Sequence, residues 1–160
     1  MRRVGEVECC LDVGGVENLV VLRLVFGYAG AHELAMWKQR VVTGWSRVRV
    51  DHVDSAGLGD TPEVGATMAV HAYVSLGDLN PDDVDVQVVH GRVREEQDDL
   101  VDATVSSLKL VESYEANRHR FDGTVTLSTT GSFGYTVRVV PRHAHLASVA
   151  ELGLVSLPTT

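Results

Sequence analysis

Thr67-Met68-Ala69-Val70-His71-Ala72-Tyr73-Val74-Ser75-Leu76 alternates between two kinds of side chain along its whole length. Met68, Val70, Ala72, Val74 and Leu76 fall on one face, with Thr67, His71, Tyr73 and Ser75 on the other. Successive side chains of an extended chain point to opposite sides, so the stretch reads as a half-buried β-strand with one core face.

The same period extends to either side. Arg47-Val48-Arg49-Val50-Asp51 alternates cleanly and is ended by the turn-rich residues 54–65. Gly77-Asp78-Leu79-Asn80-Pro81-Asp82-Asp83 has turn chemistry throughout, and Val84, Val86 and Val88 open a third strand that continues to about residue 93. Glu95, Glu96, Asp98 and Asp99 mark a solvated hairpin loop. Residues 105–114 read as a fourth strand with Leu108 and Leu110 inward, and a fifth carries Phe121, Val125 and Leu127. The sixth places Phe133, Tyr135, Val137 and Val139 on one face, and Pro141 ends its ladder; a last strand at 152–157 pairs at an edge. Short strands divided by turn clusters, with no helical crossover, predict a mainly β fold: an immunoglobulin-like antiparallel β-sandwich of about seven strands over residues 46–158.

One amphipathic helix is expected before it, over residues 31–44. Leu34, Trp37 and Val41 recur at three- and four-residue spacing, and Gly44 supplies the stop. Residues 1–30 form a separate segment without a clean period, where Gly14-Gly15, Gly27 and Gly30 interrupt a valine-rich run suited to one or two short strands.

Composition narrows the function classes. A net charge of −8 without a basic patch argues against nucleic acid as a partner. Cys9 and Cys10 are adjacent, which suits neither an ordinary disulfide nor a metal site and points to a reducing compartment. The apolar run at 19–26 is far short of the roughly 20 residues that span a bilayer, and Glu6, Glu8 and Asp12 follow Arg2 and Arg3 where an export signal would be apolar. The expected location is the cytoplasm, away from membrane.

No catalytic, cofactor-binding or metal site is expected. The chain has no phosphate-cradling Gly-rich loop and no Gly-x-Ser-x-Gly elbow. His143 and His145 lack an evident third ligand, and Asp82, Asp83 and Asp85 do not match a calcium loop. Lys38 and Lys109 read as exposed, without the desolvation that activates a Schiff-base lysine. Tyr135 is expected on the core side of its strand. The candidates for ligand or partner contact are Tyr73, on the outward face of its strand, and Trp37 and Trp45, which flank the end of the helix; packing of the helix is the competing explanation for both tryptophans.

A family resemblance follows from longer motifs. Glu33-Leu34-Ala35-Met36-Trp37-Lys38-Gln39-Arg40-Val41, Val74-Ser75-Leu76-Gly77-Asp78-Leu79-Asn80-Pro81, and above all Gly134-Tyr135-Thr136-Val137-Arg138-Val139-Val140-Pro141-Arg142-His143 resemble the C-terminal region of bacterial α-glucan (glycogen or starch) phosphorylases, of the actinobacterial type. The resemblance runs from Glu33 to Pro158, and residues 1–32 depart from it. It implies an enzyme family that phosphorolyses α-1,4-glucans to glucose 1-phosphate with pyridoxal phosphate on a lysine. That lysine and the substrate sites belong to a catalytic region that would precede Glu33, so no active-site residue carries over. The expectation is a non-catalytic accessory fragment, from a truncated gene or an internal start, with α-glucan or the phosphorylase catalytic region as partner. The alternatives are a stand-alone carbohydrate-binding module or a protein-interaction module.

Overall fold

The computed structural model describes residues 17–58, 63–94, 99–128 and 131–159. The chain divides into two compact units, Met1–Met36 and Trp37–Thr160. Helix α1 (Glu17–Gly44) supplies the described part of the first unit, and its last turns, from Trp37, belong to the second. Gly44 ends the helix, as its sequence predicts. From Glu17 to Gly30, however, the chain is helical where short strands were expected. A mostly apolar run, broken only by Arg23 and glycines, carries no clear period that separates strand from helix, and here the helix absorbs it. Cys9 and Cys10 lie outside the described residues, as do Glu95, Glu96 and Asp98.

Seven antiparallel strands follow: β1 (Arg49–Ala56), β2 (Thr67–Ser75), β3 (Val84–Arg94), β4 (Asp99–Ser107), β5 (Lys109–Tyr114), β6 (Arg118–Thr126) and β7 (Phe133–Pro141). They form a four-stranded sheet in the order β1-β2-β6-β5 and a three-stranded sheet in the order β4-β3-β7. The core lies between the sheets, as alternation predicts. Met68, Val70, Ala72, Val74 and Leu76 are all buried, as are Val86 and Val88 of β3, Phe121 and Val125 of β6, and Val137 and Val139 of β7.

The count of seven agrees with expectation; β1 runs on to Ala56, into the expected turn at 54–65, and two later segments differ more. Residues 105–114 are not one strand. They end β4 in one sheet and form β5 in the other, so the chain changes sheets at Leu108. Leu108 is buried and its N–H donates to the Val86 carbonyl at 2.7 Å, whereas Leu110, expected inward, is exposed. A bulge between Leu110 and Glu112 shifts the pairing of β5 with β6 and breaks the alternation there. Gly123 of β6 makes room for the corner: a Cβ on it would stand 2.5 Å from Leu108 Cδ2.

The second difference is the segment at 152–157, which forms single bridges rather than a strand. Ser156 pairs with Val139 of β7, and Pro158 with Val50 of β1. Ser156 exchanges both backbone hydrogen bonds with Val139, at 2.9 and 3.0 Å, and its Oγ donates to the Val48 carbonyl at 3.0 Å. The C-terminal residues therefore strap the open edge of β7 to the start of β1, occupying backbone groups that an edge strand leaves unpaired.

Candidate functional site

Two clusters bring together the side chains singled out in the sequence. The first joins the end of α1 to the turn before β3. Asp83 is buried, and its Oδ1 accepts from Trp37 Nε1 at 2.7 Å and from Arg40 at 2.6 Å. Its Oδ2 accepts from the Asn80 backbone N–H at 3.0 Å, and its carbonyl accepts from the N–H of Arg142 at 2.8 Å. A buried carboxylate is stable when its oxygens are matched by donors, one of them cationic, and this one is. His143 lies against the Trp37 ring with centroids 4.7 Å apart, and His143 Nδ1 accepts the backbone N–H of His145 at 3.2 Å. Lys38 pairs with Glu151, whose carboxyl is held below its usual range by that lysine and by the Ala147 N–H. A hollow of about 490 Å³ opens beside the cluster, lined by Trp37, Asp82, Asp83, Arg142, His143 and Ala144.

Trp37 and Trp45 are thus interior side chains. The Trp37 N–H is satisfied by Asp83, and its ring packs against His143 while lining the hollow. The Trp45 N–H is buried with no acceptor among the described residues.

The second cluster is the outer face of the four-stranded sheet, where Tyr73 stands half-buried. Register places His52, Tyr73, Arg120 and Glu112 in one row across β1, β2, β6 and β5, and Ser75, Arg118 and Tyr114 in the next. The Tyr73 ring centroid is 6.0 Å from that of His52 and 6.5 Å from that of Tyr114, the tyrosine planes lying 29° apart. Charged groups lock together around the rings. Arg120 binds both oxygens of Asp122, at 3.0 and 2.9 Å, and reaches Glu112 at 3.6 Å, while the Tyr114 hydroxyl donates to Glu112 at 2.7 Å. His71 Nδ1 lies 2.9 Å from Asp122. Arg49, Arg118 and the Ser75 hydroxyl converge on Asp51. Burial pushes the Asp51 and Asp122 carboxyls up, but these donors outweigh it and hold both below the ordinary range. The Tyr114 hydroxyl is shifted up because it donates to the Glu112 carboxylate.

Alternation in the sequence points Tyr73 outward. It does not find His52 or Tyr114, because both depend on bulges, between Val50 and His52 in β1 and between Leu110 and Glu112 in β5. Tyr135, expected on the core side, is half-buried and lines a surface hollow with Val53, Leu157 and Pro158. The expected acidic cluster near residue 83 is divided: Asp83 serves the helix, and Asp85 accepts from Gln87 at 2.6 Å and from Ser107 at 3.0 Å.

Among the described residues no group of three or more His, Cys, Asp or Glu side chains is placed to hold a metal ion, and no helix is long and apolar enough to cross a membrane.

Comparison with known proteins places these elements in a family. Residues 45–159, from Trp45 to the end of the strap, match the glycogen phosphorylase C-terminal domain. Glycogen phosphorylases of Mycobacterium bovis and Mycobacterium tuberculosis are each 40% identical to this chain over 130 residues, covering 81% of it. The chain spans 15% of the length of these relatives. Among solved structures, a Pseudomonas fluorescens alkylpurine DNA glycosylase, AlkC, bound to DNA with an abasic-site analogue, has a TM-score of 0.38 at 12% identity, covering 79% of this chain and 40% of that one; a likeness so slight carries no argument. Both the family match and the mycobacterial identity cover most of the sandwich, and on them this chain belongs to the glycogen phosphorylase C-terminal domain family.

Proposed function

We propose that this chain is a non-catalytic accessory β-sandwich of a glycogen phosphorylase, with the phosphorolysis of α-1,4-glucan to glucose 1-phosphate, and the pyridoxal phosphate it uses, belonging to a catalytic region outside these residues. On this reading the protein is cytoplasmic, where such an enzyme meets its polymer. The observation that carries the proposal is the anchoring of the last turns of α1 by Asp83. Trp37 and Arg40 both donate to one buried oxygen, so the helix end and the sandwich form one body rather than two parts on a loose linker. An accessory domain fixed in this way has a packing or assembly role. Five carboxylates support it, since Asp51, Asp83, Glu112, Asp122 and Glu151 are each engaged by a neighbouring donor.

The test is to incubate the purified chain with glycogen, phosphate and pyridoxal phosphate and to measure glucose 1-phosphate. No release above blank is expected. Release that grows with protein concentration overturns the proposal.

A further inference from the structure

We infer that the outer face of the four-stranded sheet, centred on Tyr73 and Tyr114, is a binding platform for a neutral polyhydroxylated chain. The nature of that chain as an α-linked glucan rests on the proposed function above. Three observations meet on this face. First, Tyr73 and Tyr114, with His52 beside them, bring three rings to neighbouring positions across the sheet, and Tyr114 lies exposed on its edge strand. The C–H faces of a pyranose pack against aromatic rings, and a tyrosine adds a polar hydroxyl at its rim.

Second, the polar groups around the rings are held in place before any ligand arrives. Arg120 is fixed by Asp122 and Glu112, Glu112 by Tyr114, and Asp51 by Arg49, Arg118 and Ser75. Each guanidinium has five N–H donors and each carboxylate about four acceptor positions, so these pairings leave groups free for sugar hydroxyls. Preorganised donors and acceptors bind with less loss of side-chain freedom.

Third, the charges on this face cancel. Arg49, Arg118 and Arg120 stand against Asp51, Glu112 and Asp122, and Asp54 and Lys109 add one of each sign. The chain as a whole carries −8. A face neutral by internal pairing offers no net attraction to a polyanion or polycation, and an uncharged ligand rich in hydroxyls is its chemical complement.

Electrophoresis of the full chain in native gels with and without glycogen tests the inference, because repeated sugar units on a polymer reinforce weak single contacts. Wild-type protein should be retarded by glycogen. Tyr114→Ala and Tyr73→Leu should each weaken the apparent affinity by about tenfold, the loss expected from removing one stacked ring. Circular dichroism checks the fold of each variant, and if Tyr73→Leu does not fold, the exposed Tyr114 variant decides alone. Equal mobility with and without glycogen overturns the inference, as does retardation that neither substitution changes. Concentration-dependent dimerisation in light scattering that Tyr114→Ala abolishes also overturns it, since a second copy would then occupy the face. The outcome is separable from that of the proposed function: an unretarded chain that releases no glucose 1-phosphate defeats the platform alone, and a retarded chain that releases it defeats the accessory role alone.

Discussion

Trp37 Nε1 and Arg40 converge on the same oxygen of Asp83, with Trp37 at 2.7 Å and the carboxylate buried beneath the end of the helix. Replacing Trp37 with Phe keeps an aromatic ring but deletes the donor and part of the buried indole, so a loss of about 2 kcal/mol is expected. Asp83→Ala should cost more, about 3 kcal/mol, because it orphans the Trp37 N–H and removes the acceptor that caps the turn at Asn80. Urea unfolding followed by circular dichroism measures both, and two equal, negligible losses would show that this contact does not hold the helix end.

The corner at Leu108 makes a prediction about coupling. Gly123→Ala should destabilise by about 1–3 kcal/mol through overpacking against Leu108, and Leu108→Ala by about 2–5 kcal/mol through a cavity. The double variant should lose less than the sum, since the added methyl enters the space the leucine leaves. Strict additivity in thermal or urea unfolding would contradict the contact.

His119 sets a pH dependence. Its Nε2 lies 2.7 Å from Asn117 Oδ1, and the Asn117 amide nitrogen donates to the carbonyls of Gly77 and Leu79 at 2.9 and 2.7 Å, which orients the amide. Nε2 therefore carries the proton, and Nδ1, 2.9 Å from Ser113 Oγ, accepts. Burial lowers the pKa of His119, and of His90, below the ordinary 6.5. The unfolded chain then binds protons first as the pH falls, so stability should decline below about pH 6.5 and level off under the folded values. Melting temperatures from pH 8 to 5 check this, and the slope should be shallower in His119→Asn. A midpoint that rises on acidification in this window would reverse the sign.

The strap offers a fourth test. A chain ending at Gly153 lacks Ser156 and its three hydrogen bonds to Val139 and Val48, and a loss of about 2 kcal/mol is expected. The uncovered edge of β7 should also promote association, visible in size-exclusion chromatography. An unchanged melting temperature and a monomeric profile would show that the strap is dispensable.

Much of this architecture is written in alternation. Along β2 every second residue from Met68 to Leu76 is buried, and the pattern could place Tyr73 outward because a pleated chain leaves a side chain only two faces. The same argument located Val137 and Val139 inward and Pro141 at the end of β7. Period alone failed where the chain turns a corner between the sheets. One residue, Leu108, separates β4 from β5, and a local pattern cannot register that the two halves bond to different neighbours.

Polarity and period in the sequence mark most of the side chains that face the core, and miss Leu110 and Tyr135, whose surroundings depend on a bulge and on the rim of the sheet. The tertiary structure decided which of the outward residues meet, because strand order and two bulges place Tyr73 of β2 between His52 of β1 and Tyr114 of β5, although Tyr114 is 41 residues away. It also supplied the partner of Trp37. Trp37 lies on the apolar stripe that its period marks, and the path of the chain adds its acceptor, a carboxylate 46 residues later that folds back under the helix to take its N–H.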